Sequence, residues 1–244
     1  MNFLSNQTQK INLVISISIF LYLVRILLFP LPVQTGGSEL SYWAYFKDYL
    51  NLFENFEYEY MQNFRWFPQE WRWGFYILPI ILNIFFENIN ILYFFGSLCM
   101  FLSFVIFLIT IKKFYSLLPI CFFIFTWIIH PDLEKFTFSF STNSVSILIL
   151  SIIIFLLAKL DLKNIELRNF IVLLILFFWL YGTKEANLIF AIFIPVIFFL
   201  NKNIKNFIII SSLAAILYLI EASFVYLITD GQNPFGRFFY HFVS

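Results

Sequence analysis

A few residues in this chain have types and spacings that could do chemistry. His130-Pro131-Asp132-Leu133-Glu134 packs possible metal ligands into five positions between apolar runs. Imidazole and carboxylate suit a divalent ion, while Pro131 and the tight spacing suit a plain turn. Gly182-Thr183-Lys184-Glu185 sets a lysine and a glutamate in the middle of a long apolar stretch. Arg25 and Glu221 each stand inside a further apolar run, where an ionisable residue is by default a functional hypothesis. Snorkelling is the plain account for Arg25. Glu221 can pair with Arg25, orient Lys184 or face an aqueous cavity. Cys99 and Cys121 fall in apolar spans, with no disulfide framework or metal-ligand spacing around them.

The elements that must position these residues follow from composition. Of 244 residues, 61% are hydrophobic and 12% charged, too little charge for the surface of a soluble domain. The 37 phenylalanines accompany frequent Ile, Asn and Lys. These residues share A/T-rich codons, so the phenylalanines mark no site. Basic residues are scattered rather than clustered, which argues against nucleic acid. A bilayer core of about 30 Å needs about 20 apolar residues per helix. Runs suited to this are predicted over Ile11–Phe29, Ile91–Ile111, Leu117–Ile129, Phe138–Ala158, Asn169–Tyr181, Asn187–Leu200 and Phe207–Thr229. The expectation is therefore an all-α polytopic membrane protein, a single transmembrane domain over residues 1–244 with about seven transmembrane helices. The first run is too long for the apolar region of a signal peptide, and no small-residue cleavage site follows it.

Gly74–Phe86 is the ambiguous run. At 13 residues it rises only about 20 Å. If it does not cross, the cytoplasmic side receives Lys10, Lys112, Lys113, Lys159, Lys163, Arg168, Lys202 and Lys205, in short turns, as basic-residue bias requires. Of the acids in the connections, only Asp161 and Glu166 then fall inside. If it did cross, every later loop would flip. The run is therefore expected as a helix at the outer interface, with a cytoplasmic N-terminus and an outer C-terminus. The first outer loop, residues 30–90, contains the only long polar segment, Leu31 to Trp73. Within it, apolar residues at 40, 43, 46, 50 and 53 fall on one helical face and predict an amphipathic juxtamembrane helix. Trp66, Trp71 and Trp73 fit an interfacial aromatic belt.

In this order the motifs resemble the C-type glycosyltransferases, multi-pass enzymes that use polyprenyl-phosphate sugars and include the aminoarabinose and protein O-mannosyl transferases. Ser38-Glu39-Leu40-Ser41-Tyr42-Trp43-Ala44 sits where that family has an Asp-Glu pair and an aromatic-rich helix. Arg72-Trp73-Gly74-Phe75-Tyr76 resembles its basic residue before a juxtamembrane helix. Gly182-Thr183-Lys184-Glu185 resembles its Thr-Lys turn, and Asp230–Arg237 its outer Asp-Gly-x-x-Pro-Phe-x-Arg segment. The chain departs from the pattern in having Ser38 in place of the loop Asp. It also resembles only the N-terminal half, since family members usually have more helices.

The resemblance implies a transferase that displaces a lipid phosphate from the anomeric carbon of a sugar at the outer face of an inner (plasma) membrane, passing the sugar to an envelope acceptor. Glu39 is implied as the base that takes the acceptor's proton. Lys184, Arg72 and Arg237 are implied as phosphate ligands, with Tyr42 and Glu221 on the substrate side. A helix-terminus Glu39, a Lys184 paired with Glu185 and solvated interfacial arginines are the structural alternatives. The only cofactor implied is a divalent ion, through His130, Asp132 and Glu134. The implied partners are the lipid bilayer and a polyprenyl-phosphate-linked sugar. A non-catalytic or truncated relative, binding lipid or serving as a partner to a further membrane subunit, is the alternative from another class. A transporter or flippase would carry an internal repeat, and none is seen.

Overall fold

The structure is a computed structural model that describes residues 2–28, 73–86, 94–183 and 188–228. All regular elements among the described residues are helices: α1 (Asn2–Leu28), α2 (Trp73–Phe86), α3 (Phe95–Ile111), α4 (Leu117–Ile129), α5 (Pro131–Thr137), α6 (Thr142–Leu157), α7 (Leu167–Thr183), α8 (Leu188–Leu200) and α9 (Ile204–Ile228). The all-α expectation therefore holds. The amphipathic helix expected from Leu40 onward lies outside the described residues.

Helix ends follow local chemistry. α1 runs back through the polar Asn2–Lys10 segment, which contains neither Gly nor Pro to break it. α6 begins at Thr142, four residues later than the apolar run suggested. Ser141 is extended and its hydroxyl accepts the Asn143 N–H at 3.2 Å, an N-cap that fixes the start. Within His130–Glu134, which suits a plain turn, Pro131–Glu134 is helical instead. Proline forces the preceding residue out of the helical region, so His130 is extended (φ −69°, ψ 121°) and α4 stops there. Pro131 then opens α5 at a position where its missing N–H costs nothing, with Asp132 and Glu134 in the favourable first turn. α4 and α5 meet at a 65° bend.

The described helices fall into two compact units, and the division passes through α2 after Ile80. In the first, α1 and α3 to α6 pack together. Ile11, Ile15, Ser18, Tyr22 and Ile26 give α1 one buried face, at the spacing a helix requires. They meet an aromatic cluster in which Phe104 lies 4.8 Å from Tyr22 and 5.7 Å from Trp127, centroid to centroid. α3 packs on α6, and both helices bury small residues. Gly96, Ser97, Cys99 and Ser103 on α3 and Ser144, Ser146 and Ser151 on α6 are all buried. The Ser103, Ser146 and Ser151 hydroxyls donate to carbonyls one turn back, at 2.7, 2.9 and 2.7 Å. A Cβ on Gly96 would lie 2.1 Å from the Ser139 carbonyl oxygen. Small side chains are what allow helices to approach this closely.

In the second unit, α7, α8 and α9 pack together. Phe170, Leu173, Phe177 and Leu180 form the buried face of α7, and Phe170 meets Phe198 of α8 edge-on at 6.2 Å.

Among the described residues, one helix segment, the 22-residue Gln7–Leu28, is long and apolar enough to cross a membrane alone, with a mean hydropathy of 2.3 over an 18-residue window. The bent α4–α5 pair passes the same test taken together. Other apolar helices are shorter, among them α3 and α7 at 17 residues and α6 at 16. The described residues thus show fewer full-length spans than the seven expected. Part of the reason is that one predicted run, Phe138–Ala158, contracts to Thr142–Leu157.

Candidate functional site

The first unit gathers polar groups where α1, α3 and α5 meet. Arg25, in the last turn of α1, donates from Nη1 to the Ile128 carbonyl at 2.8 Å and from Nη2 to the Glu134 carboxylate. The first bond satisfies a carbonyl that the end of α4 leaves without a helical partner. The second is an ion pair across the α4–α5 bend. Arg25 therefore does not simply snorkel: its charged partner among the described residues is Glu134.

One turn earlier on α1, the Tyr22 hydroxyl lies 3.0 Å from Thr137 Oγ1 at the end of α5. Thr137 spends its own proton on the Leu133 carbonyl at 2.7 Å, so Tyr22 is the donor between the two. Ser97 of α3 donates to the Thr137 carbonyl at 2.6 Å. Thr137 thus ties three helices with one side chain and one peptide oxygen. The glutamate that could have served as a metal ligand is a structural anchor. His130 Nδ1 stands 4.0 Å from an Asp132 oxygen, a loose ion-pair distance. Among the described residues no group of three His, Cys, Asp or Glu could hold a metal. With Glu134 held by Arg25, the His130, Asp132 and Glu134 set does not fit a divalent ion.

The second unit holds a different junction, where the start of α2 meets the end of α7. The Trp179 indole Nε1 donates to the Gly74 carbonyl at 2.6 Å. A Cβ on Gly74 would stand 2.7 Å from both the Gly182 carbonyl carbon and the Trp179 oxygen, and 2.8 Å from the Thr183 nitrogen. Two backbones therefore touch with no side chain between them. Thr183 is buried and its hydroxyl donates to the Leu180 carbonyl at 2.7 Å. Gly74 comes two residues after Arg72 in the chain, and Thr183 immediately precedes Lys184.

Glu39, Tyr42, Arg72, Lys184 and Arg237 lie outside the described residues, and so does the side chain of Glu221 in α9. Sequence reasoning passed over Tyr22, Ser97, Thr137 and Trp179, whose partners lie 40 to 115 positions away. No family model, curated protein or solved structure matches the chain.

Proposed function

We propose that the chain is a multi-span membrane glycosyltransferase that moves a sugar from a polyprenyl-phosphate donor to an envelope acceptor at the outer face of the membrane. Membrane embedding is supported by large apolar side chains exposed on the outer helix faces while small polar residues are buried between helices. Ser103, Ser144 and Ser151 are fully buried, whereas Leu118 and Phe122 are 79% and 71% exposed. In water the reverse partition is favoured. Lipid supplies the apolar surroundings that the outer faces need, and hydrogen-bonded small residues suit the contacts between helices.

The observation that carries the catalytic reading is the backbone contact between Gly74 and Gly182. It joins the two segments from which Arg72 and Lys184 emerge in the sequence, and both are cations that the reaction needs beside one phosphate. In that reaction the acceptor oxygen bonds to the anomeric carbon as the bond from that carbon to the phosphate oxygen breaks. Glu39 receives the hydroxyl proton. Lys184, Arg72 and Arg237 stabilise the charge left on the phosphate.

The test is incorporation of label from lipid-linked sugars by the full chain in vesicles. Transfer is expected from the wild-type chain, with loss in Glu39→Gln and in Lys184→Ala. Equal transfer by Glu39→Gln would remove the proposed base. Ser38, in the place of the family's loop Asp, favours a second reading as a non-catalytic, lipid-binding membrane subunit. That reading predicts retention of the lipid-linked sugar without turnover.

A further inference from the structure

The second unit carries a group of cations that the proposed chemistry does not use. The loop before α7 and the start of α9 are joined at one end of the unit by a single side chain, that of Asn203 in the turn after α8. Its Nδ2 donates to the Leu162 and Lys163 carbonyls at 2.9 and 3.0 Å, and its Oδ1 accepts the Asn206 N–H at 3.2 Å. One amide thus caps α9 and clasps the loop between α6 and α7. The clasp brings Lys163 to the turn that carries Lys202 and Lys205, with Arg168 in the first turn of α7. All four are exposed, and none forms an ion pair among the described residues. The acids of the same loop are engaged locally. Asp161 accepts the Lys163 N–H at 3.0 Å and the Asn164 side chain at 3.4 Å, and Glu166 accepts from Asn169 at 3.5 Å.

Lys202 is a second, independent sign. It has φ 59°, the left-handed region in which glycine is favoured. The turn is a Schellman motif: the Lys202 N–H reaches the Phe199 carbonyl and the Asn203 N–H the Phe198 carbonyl, each at 2.9 Å. A lysine is held here, where glycine would be less strained. Its charge lies beyond the last turn of α8, where the helix favours a cation.

We propose that Lys163, Arg168, Lys202 and Lys205, gathered by Asn203, form a docking surface for anionic phospholipid headgroups of the adjacent leaflet. Charge complementarity selects this occupant, since juxtamembrane cations attract anionic headgroups at about fivefold in affinity per residue. The surface rests on the membrane reading above.

The full chain would be placed in vesicles or nanodiscs, and the phosphatidylglycerol and phosphatidylcholine it retains counted by native mass spectrometry. The wild-type chain is expected to prefer phosphatidylglycerol. Lys202→Gly with Lys205→Gln should lower that preference by about twenty-five-fold. Lys202→Gly alone should lower it about fivefold while the melting temperature holds or rises, because glycine relaxes the turn. Asn203→Ala keeps every charge and opens the clasp, so a fall in preference here separates a built surface from diffuse attraction. An unchanged preference in either Lys202→Gly or Asn203→Ala would overturn the proposal, as would equal thermal stabilisation by inorganic phosphate. Failure of the chain to enter bilayers would instead sink the membrane reading.

Discussion

Gly74→Ala tests the α2–α7 junction directly. At an ordinary helix position the change stabilises, by about 1 kcal/mol. Here the sign should reverse. The new methyl would meet three backbone atoms at 2.7 to 2.8 Å, against a comfortable separation of about 3.5 to 4 Å. None of the three can rotate away, as the end of a side chain could, so α2 must move off α7 by roughly 1 Å to restore ordinary contact. Overpacking of this kind costs about 1–3 kcal/mol. The shift also breaks the 2.6 Å bond from Trp179 to Gly74, worth about 0.5–1.5 kcal/mol. After the propensity gain, a net loss of roughly 0.5–3.5 kcal/mol remains. Thermal unfolding in detergent micelles, followed by far-UV ellipticity, reads it. Trp179→Phe removes the hydrogen bond alone and should lose only the smaller share. Transfer of labelled sugar should fall in Gly74→Ala, since the segments that carry Arg72 and Lys184 separate. A Gly74→Ala chain at least as stable as the wild type, with transfer intact, would refute both the contact and its use in the proposed site.

Gly96→Ala should be the more damaging glycine substitution, because its methyl would stand 2.1 Å from the Ser139 oxygen and 3.0 Å from the Phe136 oxygen; accumulation in membranes should drop sharply, measured by quantitative blotting. Glu134→Gln removes the charge partner of Arg25 and should cost about 1.5–3 kcal/mol of stability, whereas Arg25→Met with Glu134→Met should cost less than the two single changes summed. A strictly additive double-mutant cycle would mean that the pair does not couple. Thr137→Val keeps the shape and leaves the Tyr22 hydroxyl without its acceptor, a loss of about 1–3 kcal/mol in chemical denaturation that Tyr22→Phe in the same background should largely recover.

What was legible in the sequence was what depends on near neighbours. α4 lies over Leu117–Ile129, the bounds its apolar run predicted, because polar residues and a proline flank it closely. α5 carried a readable signal too: proline followed at once by an acid, with a second acid two positions later, is a helix start. It was overshadowed because His, Asp and Glu at close spacing also suggest ligands. The Arg25–Glu134 pair was not legible, since its members are 109 positions apart and any acid in an outer loop was an equal candidate. The Gly74–Gly182 approach left only a faint trace. The chain has 7 glycines, and a lone glycine in an apolar helix marks close approach without naming the partner.

The exposed apolar helix faces bear on the reading that all the others need, and one surface residue can test it. Leu118, Phe122, Phe125 and Ile129 form an outward stripe along α4, opposite the buried Ile120, Ile124 and Trp127. In a protein surrounded by water, Phe122→Lys at 71% exposure would remove a solvated apolar ring and leave stability within about 0.5 kcal/mol. Phe122 lies near the middle of α4, so in a bilayer the same change puts a charge toward the hydrocarbon core, at about 2.5–3.5 kcal/mol by insertion scales. The expected result is loss of membrane integration, read by carbonate extraction, while Ile120→Val on the buried face keeps the chain in the membrane fraction. A Phe122→Lys chain that is as abundant and as tightly integrated as the wild type would mean that the stripe does not face lipid. The lipid-facing account of α4, and with it the strongest support for a polytopic enzyme, would then fail.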